Sequence, residues 1–405
     1  MKTYDFVIIG GGCSGLATAL QLLRRVDKAA SILIVDRDKK QTNDRTWAFW
    51  TQEDLPLELD KIVSHRWTEL AFRGPTYERQ LNIAPYTYQY IKGLDYYQYC
   101  HQLLGQYPSV EFQYANIKAT HADASGPYVW VNQEKVRGQW IFDSRPQYVS
   151  ATERQNGQYF LWQHFRGWVI ETEQDTFQPD CATLMDFSYN PGNSTAFFYL
   201  LPSSERKALV EFTLFDQQLR SPAFYDNAIT DYLRQRGINN YQVLETETGK
   251  IPMTNVPLTR PQHERIIPIG SANGAVKPTT GYAFLRIQYQ AKALATTLAK
   301  TGELVSTSSP TNRFDWYDNL LLHLLTNYPA RGSEIFCKLF EKQPFTRILQ
   351  FLDQDTHVGQ ELLLFKDLPV PLFLRAVQER WQQASALSPK ISVPSNATGY
   401  DRKLS

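Results

Sequence analysis

The sequence predicts an α/β fold: a Rossmann-like nucleotide-binding domain, an interleaved β-sheet domain and a C-terminal helical region. Three observations carry this. The chain opens on a strand, a glycine-rich turn, a helix and a second strand. Short apolar strand segments fill its middle. After Pro310 the apolar residues recur at helical spacing.

Asp5-Phe6-Val7-Ile8-Ile9 is a short β-branched run that reads as a buried strand. It ends in Gly10-Gly11-Gly12-Cys13-Ser14-Gly15, which fits G-x-G-x-x-G, and Leu16 to Leu23 continues as a helix. Ser31 to Val35 reads as the second strand, closed by Asp36. Gly10 permits the tight turn, Gly12 lets the backbone approach a pyrophosphate, and Gly15 lets the helix pack close to the sheet. Cys13 and Ser14 begin the helix, whose free N–H groups and positive dipole end face that pyrophosphate. Asp36 stands where an acid accepts hydrogen bonds from a ribose.

A second glycine segment lies far along the chain. Ile266-Ile267-Pro268-Ile269 runs into Gly270-Ser271-Ala272-Asn273-Gly274, then Lys277-Pro278-Thr279-Thr280-Gly281-Tyr282, then a helical pattern from Ala283 to Ala299. Two distant glycine segments suit an extended FAD held at both ends better than they suit NAD. An ordinary strand-to-helix turn is the alternative.

Gly93 to Leu104 and Phe224 to Gln235 read as helices, and Val110 to Asp143 as a small β-meander. Tyr159–Trp162, Trp168–Ile170, Ala182–Met185, Phe197–Leu200 and Leu209–Phe212 read as strands of a sheet that roofs a cavity. The expected organisation is a discontinuous FAD-binding domain (1–155 and 260–305), a β-rich substrate domain (156–259), a helical region (306–385) and a flexible tail (386–405).

Composition excludes several classes. Lys plus Arg is 42 and Asp plus Glu is 41, a net charge of +1, which argues against nucleic-acid binding. The four cysteines form no CxxC and the seven histidines no HxxxH, so no metal centre is expected. No apolar run approaches the ~18 residues of a membrane span. Met1 to Asp5 runs straight into a strand, so no signal peptide is expected and the cytoplasm is the expected compartment. The high aromatic content, 22 Phe, 23 Tyr and 9 Trp, suits either core packing or a large flat apolar ligand.

With these motifs in order, the chain resembles the FAD-dependent lycopene cyclases, within the glutathione-reductase-type flavoproteins. The resemblance rests on the opening glycine motif and on Arg45-Thr46-Trp47-Ala48-Phe49-Trp50. It extends through Leu184-Met185-Asp186-Phe187, Phe198-Tyr199-Leu200-Leu201-Pro202 and Ala208-Leu209-Val210-Glu211-Phe212-Thr213. The last of these is similar to the family's Phe-Leu-Glu-Glu-Thr. Gly249-Lys250-Ile251-Pro252-Met253 and Lys277 to Tyr282 complete it. Two departures stand out. Only Glu211 of the paired acids is present; if the chemistry needs two carboxylates there, the second must come from elsewhere. The distal motif has Gly270-Ser271 where related flavoproteins carry Gly-Asp.

The resemblance implies redox-neutral cyclisation of lycopene end groups to β-ionone rings, with reduced FAD as the active cofactor form and NAD(P)H as reductant. An acid protonates a terminal alkene, a neighbouring alkene closes on the cation, and a proton leaves. Glu211, set among apolar neighbours, is the acid candidate because burial keeps a carboxyl protonated. Asp186 is the second candidate, as donor or relay. Trp47, Phe49, Trp50 and Tyr282 are candidates for lining the polyene site, where ring faces stabilise positive charge. Gly270, Ser271, Lys277, Thr280 and Gly281 are the distal cofactor candidates, with Arg45 and Lys277 able to neutralise phosphate or reduced flavin. Lycopene resides in the bilayer, so peripheral membrane contact is expected, through Leu368–Leu374 and the helices after Phe314. Contact with other carotenoid enzymes is compatible with this. Two competing readings are an FAD-dependent isoprenoid reductase or hydroxylase, and a non-catalytic prenyl-lipid carrier.

Overall fold

The computed structural model describes residues 2–146, 154–256, 263–304 and 312–387. The tail expected from 386 lies outside them, apart from the end of the last helix.

β1 (Lys2–Ile9), α1 (Cys13–Arg25) and β2 (Ile32–Asp36) form the opening βαβ unit. The chain then leaves it through β3 (Thr46–Thr51), β4 (His65–Trp67), β5 (Glu69–Arg73), β6 (Glu78–Asn82) and β7 (Thr87–Lys92). It returns through α2 (Gly93–Leu104), β8 (Val110–Tyr114), β9 (Thr120–Asp123), β10 (Gly126–Val131) and β11 (Glu134–Asp143). Next come β12 (Phe160–Thr172), β13 (Cys181–Asp186), β14 (Thr195–Pro202), β15 (Lys207–Asp216), α3 (Pro222–Gln235) and β16 (Tyr241–Thr254). β17 (Ile266–Pro268) and α4 (Phe284–Thr301) rejoin the first unit. The chain ends in α5 (Arg313–Asn327), α6 (Gly332–Lys342), α7 (Phe345–Leu352), α8 (Val358–Phe365) and α9 (Val370–Leu387).

The first sheet has the order β8-β2-β1-β11-β10-β9, with β17 beside β11. β1, β2, β8, β11 and β17 run parallel. Their continuous apolar runs need cover on both faces. One face is covered by α1, α2 and α4, whose Leu16, Leu20, Tyr96, Cys100, Ile287 and Ala295 share one core. The expected meander is real only for β9–β10–β11; β8 instead extends the parallel sheet.

The second sheet runs β16-β12-β15-β14-β13-β5-β6. Its two faces follow the strand period of 2. Phe198, Val210, Phe212 and Leu214 pack under α3, whereas Tyr199, Leu201, Leu209 and Phe215 face the other way, into a core shared with α6 and α7. A small third sheet, β3-β7-β4, joins this second core through Trp50, Trp67 and Tyr88. β5 and β6 precede residue 155 yet belong to the second sheet, so the N-terminal segment builds both units. β12 is one long strand where two segments were expected; Gly167 sits in mid-strand without ending it. Among the described residues no helix is long and apolar enough to cross a membrane.

Candidate active site

Gly10 has φ +102°, and a Cβ there would meet Ser144 Oγ at 2.0 Å. A Cβ on Gly15 would lie 1.8 Å from the Gly10 carbonyl oxygen, so α1 presses directly on the turn. Gly12, by contrast, faces open space, with nothing within 4 Å of its built Cβ. It is the uncapped start of α1, whose first turn carries no acid. A helix N-terminus left free beside open space suits a pyrophosphate. Cys13 turns its thiol into the core, where Gln288 donates to it at 3.4 Å and burial pushes its pKa up to about 12. It therefore offers only backbone to a ligand. Asp36 is braced by the N–H groups of Gly11 at 2.6 Å and Asp38 at 2.8 Å. It borders a small cavity with Gly11, His101, Phe112 and Tyr114.

The distal segment meets the first motif. Gly270, at φ +62°, packs so tightly on Ser14 that a Cβ would be 2.5 Å from the serine Cβ. Ser271 follows at the start of the short turn after it, partly exposed. Gly281, at φ +72°, abuts the Gln163 amide, and Gln163 Oε1 is a buried acceptor with no protein donor. Thr280 stands partly exposed beside it. The free helix start, the braced acid, the two touching glycine segments and the orphaned acceptor together fit a dinucleotide as long as FAD. Lys277 does not reach toward it. Its buried ammonium is held by both Asp318 oxygens at 2.9 Å, and Thr279 donates to the same carboxylate at 2.7 Å. A buried ammonium needs such a partner, so Lys277 anchors the loop to α5. Arg45 pairs with Asp44 at 3.0 Å and lies over the Trp47 ring.

Glu211 lies on the inner face of β15, opposite Tyr199 of β14 and Gly167 of β12. Thr213 donates to its Oε1 at 2.8 Å. Burial, and next the neighbouring Glu247, push its pKa well above the carboxylate range. Glu247, on β16, faces the same Gly167 from the other side. Thr46 donates to Glu247 Oε2 at 2.7 Å, and burial raises the Glu247 pKa as well. Tyr88 and Tyr282 share a 3.0 Å hydroxyl contact, and Tyr199 lies opposite Glu211 on β14. Burial pushes all three phenols far up, so they stay neutral beside the acid.

Of the four aromatic candidates, Trp50 and Tyr282 stand together, with ring centroids 4.5 Å apart. Trp47 and Phe49 alternate to the other side of β3, where both pack on Phe284 in the first core. The structure does not bring Asp186 to Glu211. Asp186 pairs in register with Phe198, which pairs with Phe212, the residue after Glu211. That row faces α3, so Asp186 lies on the opposite side of the sheet. There it accepts from Tyr232 at 2.8 Å and Arg236 at 3.1 Å, with Arg73 at 3.7 Å. Buried and paired there, it ties α3 to the sheet. Sequence reasoning missed Glu247, Gly167, Tyr88 and Gln163. The one signal for Glu247 was its place two residues before Gly249 in a segment already singled out.

The fold is of the Rossmann type found in solved flavoproteins. A geranylgeranyl bacteriochlorophyll reductase-like protein from Thermoplasma acidophilum superposes with TM-score 0.60 at 11% identity, covering 94% of this chain and 100% of that one. A flavin-dependent brominase superposes with TM-score 0.58 at 13% identity, covering 94% and 100%. Residues 5–378 match the family model described as Lycopene cyclase protein. The chain belongs to the lycopene cyclase family. A chloroplastic neoxanthin synthase of Solanum tuberosum is 25% identical over 73% of this chain and 61% of that relative. A lycopene beta cyclase of Synechococcus elongatus is 24% identical over 73% of this chain and 72% of that one. The chain thus spans about 60% of the length of the plant relatives it matches.

Proposed function

We propose that the protein is an FAD-dependent lycopene cyclase that closes lycopene end groups to β-ionone rings, giving γ-carotene and then β-carotene. The observation that carries this is Glu211: a carboxyl buried beside three neutral tyrosines, on the face of the second sheet that meets the distal cofactor loop. Protonating an alkene needs an acid held in its neutral form, and burial of Glu211 does that. Closure of the site by Tyr88, Tyr199, Tyr282 and Trp50 keeps water from trapping the cation as an alcohol, while their π faces favour positive charge.

Gly10, Gly12, Cys13, Ser14, Gly15 and Asp36 would hold the nucleotide end of FAD. Gly270, Ser271, Thr280 and Gly281 would hold the other. When bound in its reduced form, with NAD(P)H as reductant, FAD would supply delocalised negative charge to the reaction. Glu211 gives its proton to the terminal alkene, the ring closes, and the proton lost from the adjacent carbon returns to the Glu211 carboxylate, which leaves the ring double bond and resets the acid. No electron is gained or lost overall.

Lycopene would come from the bilayer. Val370, Leu374 and Trp381 are exposed along one stripe of α9, and Val358 and Leu362 along one stripe of α8. These faces would rest on the cytoplasmic membrane surface. The test is anaerobic incubation of purified protein with lycopene and reduced FAD. Cyclic product without net NADPH consumption supports the reading; stoichiometric NADPH consumption overturns it in favour of a reductase, and lipid binding without turnover in favour of a carrier.

A further inference from the structure

We propose that Glu211 and Glu247 form one unit holding a single proton, in which Glu247 is the positioning residue that keeps the proton on Glu211 and Gly167 is the gap that lets them meet. The inference rests on the reading of Glu211 as the acid.

The strand register makes the encounter possible. Gly167 of β12 pairs with Glu211 on one side and with Glu247 on the other, so all three lie in one row across β15-β12-β16. Adjacent strands are ~4.8 Å apart, so the two glutamate backbones are separated by about two such spacings. Any side chain at position 167 would rise between the carboxyls. A Cβ there would stand 3.2 Å from Glu247 Cγ and 3.4 Å from Glu211 Cβ, and would press on Leu209 Cδ1 at 2.9 Å. The next row shows the same device in reverse: Phe165 lies over Gly249, where a Cβ would meet the ring at 2.2 Å.

Hydrogen-bond accounting then fixes the proton count. Thr213 serves Glu211 Oε1 and Thr46 serves Glu247 Oε2. Glu247 Oε1 is buried and has no donor among the N–H and hydroxyl groups around it. Two buried carboxylates side by side repel, and an orphaned acceptor is costly. One proton on Glu211, donated to Glu247 Oε1, resolves both. The surroundings favour that placement over its reverse. Against its burial, the Thr46 hydrogen bond favours the anion on Glu247; Glu245 opposes it and Arg45 supports it more weakly. Glu211 faces Tyr88, Tyr199 and Tyr282, none of which is a cation. The second carboxylate that the motif around Glu211 lacks is thus supplied by a different strand.

The experiment is a carboxyl titration by NMR on protein carrying 13C-labelled glutamate, in the unsubstituted chain and in Glu247→Gln, Glu211→Gln and Glu245→Gln. The expected result is one retained carboxyl proton at neutral pH that Glu211→Gln abolishes. In Glu247→Gln the Glu211 midpoint falls by about one unit or more, since a repelling charge is lost; Glu245→Gln moves it far less. Glu247→Asp restores part of the shift. Gly167→Ala, whose methyl group wedges between the carboxyls, moves the midpoint as Glu247→Gln does and serves if that variant fails to fold. The alkaline limb of the cyclisation pH profile follows the same shift, with KM unchanged. A Glu211 midpoint indifferent to Glu247→Gln overturns the dyad. Should the unsubstituted chain cyclise nothing while the titrations couple, the functional reading fails and the dyad stands.

Discussion

Trp50 Nε1 donates to the Asp353 carboxylate at 2.8 Å, joining β3 to the end of α7 across 303 positions of sequence. Burial raises Asp353 to about 6, with the Trp50 bond opposing the rise. A folded-state pKa above the unfolded one means the folded chain holds a proton that the unfolded chain releases. Stability is therefore lost as pH climbs from about 4 through about 6. Asp353→Asn is expected to flatten that decline, as read by urea denaturation across the range. Trp50→Phe is expected to raise the Asp353 midpoint further.

Glu211→Gln is expected to lower cyclisation by roughly 10²–10⁴-fold, the usual worth of a positioned acid. FAD retention should not change. Because Glu211 is also raised, its replacement removes an ionisation penalty, and thermal stability at alkaline pH should rise. Product chromatography and melting curves on the same preparation check both halves.

Gly12→Ala and Gly15→Ala separate cofactor binding from folding. The Gly12 methyl meets nothing and its φ of −89° is ordinary, so the chain should fold but bind FAD poorly. The Gly15 methyl would collide with the Gly10 carbonyl and should cost the fold itself. Flavin absorbance beside circular dichroism distinguishes them.

Asp186→Asn should destabilise the protein by about 1–3 kcal/mol through weakened charged hydrogen bonds to Arg236 and Tyr232. Turnover per folded molecule should hold. A turnover loss matching that of Glu211→Gln would return Asp186 to the chemistry.

Leu374→Glu combined with Leu362→Glu should release the protein from lipid vesicles in a sedimentation assay. Cyclisation of detergent-dispersed lycopene should persist, since neither side chain approaches Glu211's core.

The opening βαβ unit was legible because its parts are local: a strand, a turn and a helix start must be contiguous. Glu211 was legible as an acid in an apolar strand. Glu247 was not, because it meets Glu211 only through a third strand, and its own segment, Tyr241 to Lys250, is too polar to announce a strand. Gly167 drew no notice because it lies between two separately read segments, although it is the space two side chains need. Asp186 failed on parity: one step along a strand changes the face, and only the register of β13, β14 and β15 reveals which face it takes. Lys277 failed because its partner, Asp318, arrives from a helix that the loop itself does not foretell.

β5 and β6 are threaded into the second sheet beside β13 although they precede β8 in the chain. Neither unit is therefore a cassette. A chimera spliced near residue 155 would inherit an edge from one parent and the strands it must zip onto from the other. Recombination within this family has to respect the β5–β13 seam, or exchange both sides of it at once.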